Sequence, residues 1–189
     1  MSAVIVPVIV IAYFVISLFV IVAIHEAGHA LVARRFGVRP YEVGFGFGHS
    51  LAHFSALGFA WHWRLWPLGA YVALRDEDLE ALKTRHYLAM VVGGVAINIA
   101  LGLGLILAVG VSMPTGLLSL LVWVFGVLSL CMGLGNLIPV WPMDGWAALV
   151  LILRNRLNDS KPLRRLESYG GKIEAGLLTA IWVVWMIVH

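Results

Sequence analysis

Apolar residues fill this chain in long blocks, separated by two tracts where polar and basic residues gather. The first block covers about residues 4–33, and the second about 87–109. The third starts near Leu117, is interrupted around Pro139 and Pro142, and resumes through Leu153. The fourth covers about 173–188. Each block offers close to the roughly 20 apolar residues that a membrane-crossing helix needs.

Between the first two blocks, from about 40 to 75, the texture changes. Gly44, Gly46 and Gly48 alternate with Phe45 and Phe47. The stretch Phe59-Ala60-Trp61-His62-Trp63-Arg64-Leu65-Trp66 is aromatic with a partial period of two. These read as short strands with turns, and the tryptophans suit a membrane interface. Asp76-Glu77-Asp78 then opens a short polar helix towards Arg85. The expected fold class is mainly α: a polytopic membrane helix bundle of about four spans. A small membrane-associated β-sheet or hairpin lies between spans one and two, all in one domain over residues 1–189.

Composition agrees. Of the 189 residues, 61% are hydrophobic and only 12% charged, about half the charge of an average soluble domain. All 13 basic residues fall in two groups. Arg34, Arg35, Arg39, Arg64, Arg75, Lys83 and Arg85 follow span one. Arg154, Arg156, Lys161, Arg164, Arg165 and Lys172 follow span three. Such clustering reads as membrane topology rather than nucleic-acid binding. It puts both basic loops in the cytoplasm and both termini outside. The first block has no basic leader and continues into the polar motif described next, so it reads as a retained span rather than a signal peptide. The single cysteine, Cys131, excludes an internal disulfide.

Inside span one stands His25-Glu26-Ala27-Gly28-His29. Imidazoles four residues apart share one helix face and can grip one zinc ion, with Glu26 placed to take a proton from an attacking water. A bilayer tolerates such groups only where they pair, coordinate or line a wet cavity. A catalytic zinc wants three protein ligands, and Asp144 is the best third candidate. It lies just beyond two prolines that break an apolar span. Counted from the basic flanks at helical rise, His29, His25 and Asp144 lie at roughly 8, 14 and 15 Å. Asn98 lies deeper on span two, at roughly 20 Å. Asn98 and Asn136 are amides suited to the substrate backbone or a developing oxyanion. Blander roles stand beside these. Asp144 also fits a helix N-cap, Asn98 an interhelical hydrogen bond, and Asn136 a helix-end cap. Gly93, Gly94, Gly102 and Gly104 read as close-packing positions.

The chain resembles the site-2 protease family of intramembrane zinc metalloproteases. The resemblance is carried by His25 through Val38 with Val43 to Gly48, by Pro67-Leu68-Gly69-Ala70-Tyr71-Val72, by Gly94 to Asn98, and by Asn136-Leu137-Ile138-Pro139 through Asp144-Gly145. It implies zinc held by His25, His29 and Asp144, one ion per chain, with Glu26 as general base. It also implies substrates that are membrane-spanning or signal-peptide-like helices, cut on the cytoplasmic side of a bacterial inner membrane. An edge strand of the sheet would pair with the extended substrate. Two departures stand out: Val95 replaces a frequent proline, and Trp146 replaces a frequent second glycine. Val111 to Gly116 leaves no room for the PDZ domain that related members insert, so the chain reads as a minimal core. Substrate selection then falls to the hairpin, to substrate instability, or to a separate adaptor or regulatory membrane protein. Other classes with similar ligands are a divalent-metal transporter and a non-hydrolytic helix-binding scaffold. A transporter would need further ionisable residues towards the outer face, and a scaffold has no use for Glu26.

Overall fold

The computed structural model describes residues 2–75, 77–78, 83–140 and 142–157. The expected fourth span, 173–188, and nearly all of the second basic loop lie outside the described residues. The chain divides after Gly135 into two compact units.

The first unit opens with helix α1 (Ser2–Arg35), whose 34 residues extend about 50 Å, well beyond a bilayer core of roughly 30 Å. Its N-terminal half keeps Ile5, Val6, Ile9, Ile11 and Ile16 exposed, as a surface solvated by lipid requires. Strands β1 (Glu42–Ala56) and β2 (Phe59–Ala73) follow, then helices α2 (Thr84–Val109) and α3 (Leu117–Gly135). α1, α2 and α3 are all long and apolar enough to cross a membrane.

The strand expectation holds, with one addition. β1 and β2 each bend, so that two strands lay down four segments. Residues 50–56 pair with 59–64 through a tight turn, and 42–45 pair with 70–73. Residues 42–45 also pair with 60–63, with partner numbers rising together, so these segments run the same way. The bend in β1 lies at Gly46 and Gly48, which have φ of 78° and 86°. Only glycine adopts that conformation without strain. The Gly-Phe alternation therefore encodes a corner within the strand.

Val43, Phe45, Phe59 and Trp61 form the buried face of the sheet and pack on Ala27 and Ala30 of α1. A polar cluster closes another part of the sheet. Arg64 donates to Glu42 at 2.8 Å and to the Tyr71 hydroxyl at 2.7 Å, and Tyr71 donates to Glu42.

α2 and α3 meet backbone to backbone. A Cβ on Gly102 would lie 2.7 Å from the Gly126 carbonyl oxygen. Gly93, Gly94 and Gly102 thus occupy close contacts as expected, whereas Gly104 faces open space. Ser129 on α3 donates to the Asn98 carbonyl at 3.0 Å, and Tyr13 on α1 donates to the Leu121 carbonyl at 2.5 Å.

In the second unit the interruption is wider than the prolines alone indicate. Helix α3 stops at Gly135, and helix α4 (Asp144–Leu157) starts after eight intervening residues. Proline disfavours a helical residue before it, so Pro139 acts upstream of its own position. Backbone bonds Val140 to Ile138, Met143 to Val140 and Gly145 to Asn136 satisfy groups that the break would strand. The described residues of α4 number 14.

Candidate metal centre

The stretch from His25 to His29 uses each of its faces. Ala27 turns to the sheet. Gly28 turns to α2, where a Cβ would lie 2.7 Å from the Gly93 carbonyl oxygen and 2.9 Å from the Gly94 Cα. The two helices can therefore touch along their backbones, and both imidazoles reach α2 directly.

His29 points its Nδ1 at the Met90 carbonyl, 2.8 Å away. In a helix that carbonyl also accepts the N–H of Gly94, and the same N–H donates towards His29 Nδ1 at 3.3 Å. The ring thus sits beside a backbone hydrogen bond of α2. Glycine makes this possible, because a Cβ at 94 would stand 2.5 Å from His29 Nε2. One turn deeper, the side-chain amide of Asn98 lies 3.2 Å from His25 Nδ1. Asn98 is fully buried, and its Oδ1 has no hydrogen-bond partner among the described residues.

Both rings are thus held by their Nδ1 atoms from α2. Their Nε2 atoms face each other 3.1 Å apart, with the ring planes nearly perpendicular at 89°. Two nitrogens at ordinary bonding distance from one tetrahedral zinc stand roughly 3.3 Å apart. The pair fits such an ion, and a carbonyl behind Nδ1 is the usual way of presenting Nε2 to a metal. Glu26, between the two histidines, is buried at 8% exposure.

Asp144 is the first residue of α4 and half-buried. Its neighbour Gly145 donates its N–H to the Asn136 carbonyl at 2.7 Å. A Cβ on Gly145 would collide with the Leu137 carbonyl oxygen, so the Asp-Gly pair is what the local chain path permits. Asn136 stands directly after α3, and its backbone carbonyl closes this loop.

Sequence reasoning did not find the Met90 carbonyl, which has no side-chain signature. It read Gly94 as packing, but this glycine also makes room for an imidazole. The available signal was spacing: Gly94 and Asn98 are four apart on α2, matching His29 and His25 on α1.

For Glu42, partial burial pushes the carboxyl upward. Bonds from Tyr71 and Arg64, with the nearby His62 and Arg64 charges, outweigh it and leave the group below its ordinary value of 4.5.

Residues 13–119 match the family model described as Peptidase family M50, and the chain belongs to that family. The regulator of sigma-E protease RseP of Escherichia coli (strain K12) is 40% identical over 79 residues, 40% of this chain and 18% of that protein. The zinc metalloprotease RasP of Oceanobacillus iheyensis is 35% identical over 79 residues, 41% of this chain and 19% of that protein. The match therefore covers less than a fifth of either relative. Among solved structures, the site-2 protease from Methanocaldococcus jannaschii has the same fold, with TM-score 0.57 and 23% identity. That match covers 93% of this chain and 69% of the other.

Proposed function

We propose that this chain is an intramembrane zinc metalloendopeptidase that hydrolyses peptide bonds in or near the membrane-spanning segments of other proteins. One observation carries the reading: two buried or half-buried imidazoles, with Nε2 atoms 3.1 Å apart and a glutamate between them, on a helix long enough to span a bilayer. Membership of a peptidase family supports it.

In this reading His25, His29 and Asp144 hold one zinc ion. Zinc, when bound, polarises the scissile carbonyl and acidifies the attacking water. Glu26 accepts the proton of that water and returns it to the leaving nitrogen. Asn136 supplies an amide for the substrate backbone or the developing oxyanion. The substrate must unwind before attack, because a helical peptide bond is shielded by its own hydrogen bonds. The sheet offers its outer segment, 70–73, as an edge for the unwound strand.

The basic flanks put both termini outside and the site towards the cytoplasmic face of a bacterial membrane. One core domain over 1–189 does this work, with selection by the sheet or by a separate membrane partner. The test is a tagged single-span reporter co-expressed with wild type or Glu26→Gln. The variant should keep its zinc and lose cleavage. Equal cleavage by both proteins would refute the proposal.

A further inference from the structure

Asn98 lies on a different helix from the metal-binding motif, yet its amide meets the far side of His25. We infer that Asn98 is a positioning residue that fixes the His25 imidazole for zinc, its oxygen accepting a hydrogen bond from Nδ1–H. The inference rests on the zinc reading above and goes beyond it by assigning the atom that orients one ligand.

The argument is one of proton inventory. A neutral imidazole carries one N–H. If Nε2 gives its lone pair to a metal, the proton resides on Nδ1, and the group facing Nδ1 must be an acceptor. At His29 the Met90 carbonyl stands 2.8 Å from Nδ1 as such an acceptor, nearer than the Gly94 N–H at 3.3 Å. At His25 the amide of Asn98 stands opposite Nδ1, with its nitrogen Nδ2 at 3.2 Å. An amide offers either nitrogen or oxygen at one position after a half-turn about its last bond. Zinc on Nε2 selects the oxygen. The half-turn breaks no bond at Oδ1, since that atom has no partner among the described residues.

The scaffold behind the amide is built to hold it. Asn98 is fully buried. Its own carbonyl receives the Ser129 hydroxyl from α3 at 3.0 Å. A Cβ on Gly133 would lie 3.1 Å from the Ile99 nitrogen, so α3 backs α2 directly at this level. Hence α3 bears on the geometry of the His25–His29 pair through Asn98. Loss of a hydrogen-bond partner behind a metal-ligating histidine typically weakens metal binding about 10- to 100-fold.

The experiment compares zinc affinity, by chelator competition on the full chain in detergent, for wild type, Asn98→Leu and Asn98→Asp. Leucine keeps the bulk and removes the acceptor, whereas aspartate keeps an acceptor oxygen. Asn98→Leu should bind zinc about 10- to 100-fold more weakly, and Asn98→Asp should recover most of that loss. A purely structural role would lower the melting temperature of the metal-free protein and leave zinc affinity unchanged. Unchanged affinity in Asn98→Leu, or equal loss in both variants, overturns the inference. A measurement on wild type guards against misfolded variants: imidazole nitrogen NMR of the zinc-loaded protein should show His25 protonated on Nδ1. Zinc on Nδ1 would overturn the inference while leaving the protease reading intact. If wild type binds no zinc, both fall.

Discussion

Replacing Gly94 with alanine adds one methyl group at the closest approach of α2 to the His29 ring. The new carbon would stand 2.5 Å from Nε2, 2.7 Å from Cε1 and 2.7 Å from the His25 carbonyl oxygen. An unstrained contact needs about 3.5 Å, so something must move by about 1 Å. The His25 carbonyl belongs to the backbone of α1, so the ring gives way more easily. Overpacking of this kind costs about 1–3 kcal/mol. If the cost falls on His29 leaving the position proposed for zinc binding, zinc affinity drops about 5- to 150-fold, at 1.4 kcal/mol per factor of ten. The metal-free protein should suffer less, because alanine is about 1 kcal/mol better than glycine within a helix. The assay is chelator competition for zinc beside thermal melting of the metal-free protein, each in detergent. A variant that binds zinc as tightly as wild type would refute the claim that glycine at 94 is what seats the His29 ring.

Other expectations follow from the same geometry. Asp144→Asn should weaken zinc retention by at least about tenfold during dialysis against a chelator, since it removes the only proposed anionic ligand; unchanged metal content would strike Asp144 from the ligand set. Gly145→Ala should destabilise the start of α4 by about 1–3 kcal/mol, visible as a lower melting temperature, because its methyl group meets the Leu137 carbonyl oxygen. The Glu42 carboxyl titrates lower when folded than when unfolded. The stability it adds is therefore present above pH 4.5 and lost as pH falls through its lowered folded value. Melting of wild type and Glu42→Gln should accordingly converge on acidification below that point, and a constant gap down to pH 3 would contradict the assignment.

Much of this protein is local in origin and was therefore readable in one dimension. Three apolar stretches became helices because, in lipid, a backbone must satisfy its own hydrogen bonds. The two histidines share a face because helical geometry puts residues four apart in register. The aromatic tract formed strands, and the prolines ended a helix. Facing is another matter. Nothing in the spacing of His25 and His29 says whether their Nδ1 atoms will meet a carbonyl, an amide or lipid; that depends on how α1 and α2 are rotated against each other. Small residues at 28, 93 and 94 allow the helices to touch, and only the touching brings Met90 and Asn98 behind the imidazoles. The corner at Gly46 and Gly48 is similar, since a left-handed residue within a strand is decided by the sheet it must fold onto. Sequence by itself determined which residues could carry the chemistry. The tertiary structure decided which atoms hold them, because hydrogen-bond partners distant along the chain are chosen by helix packing and not by local period.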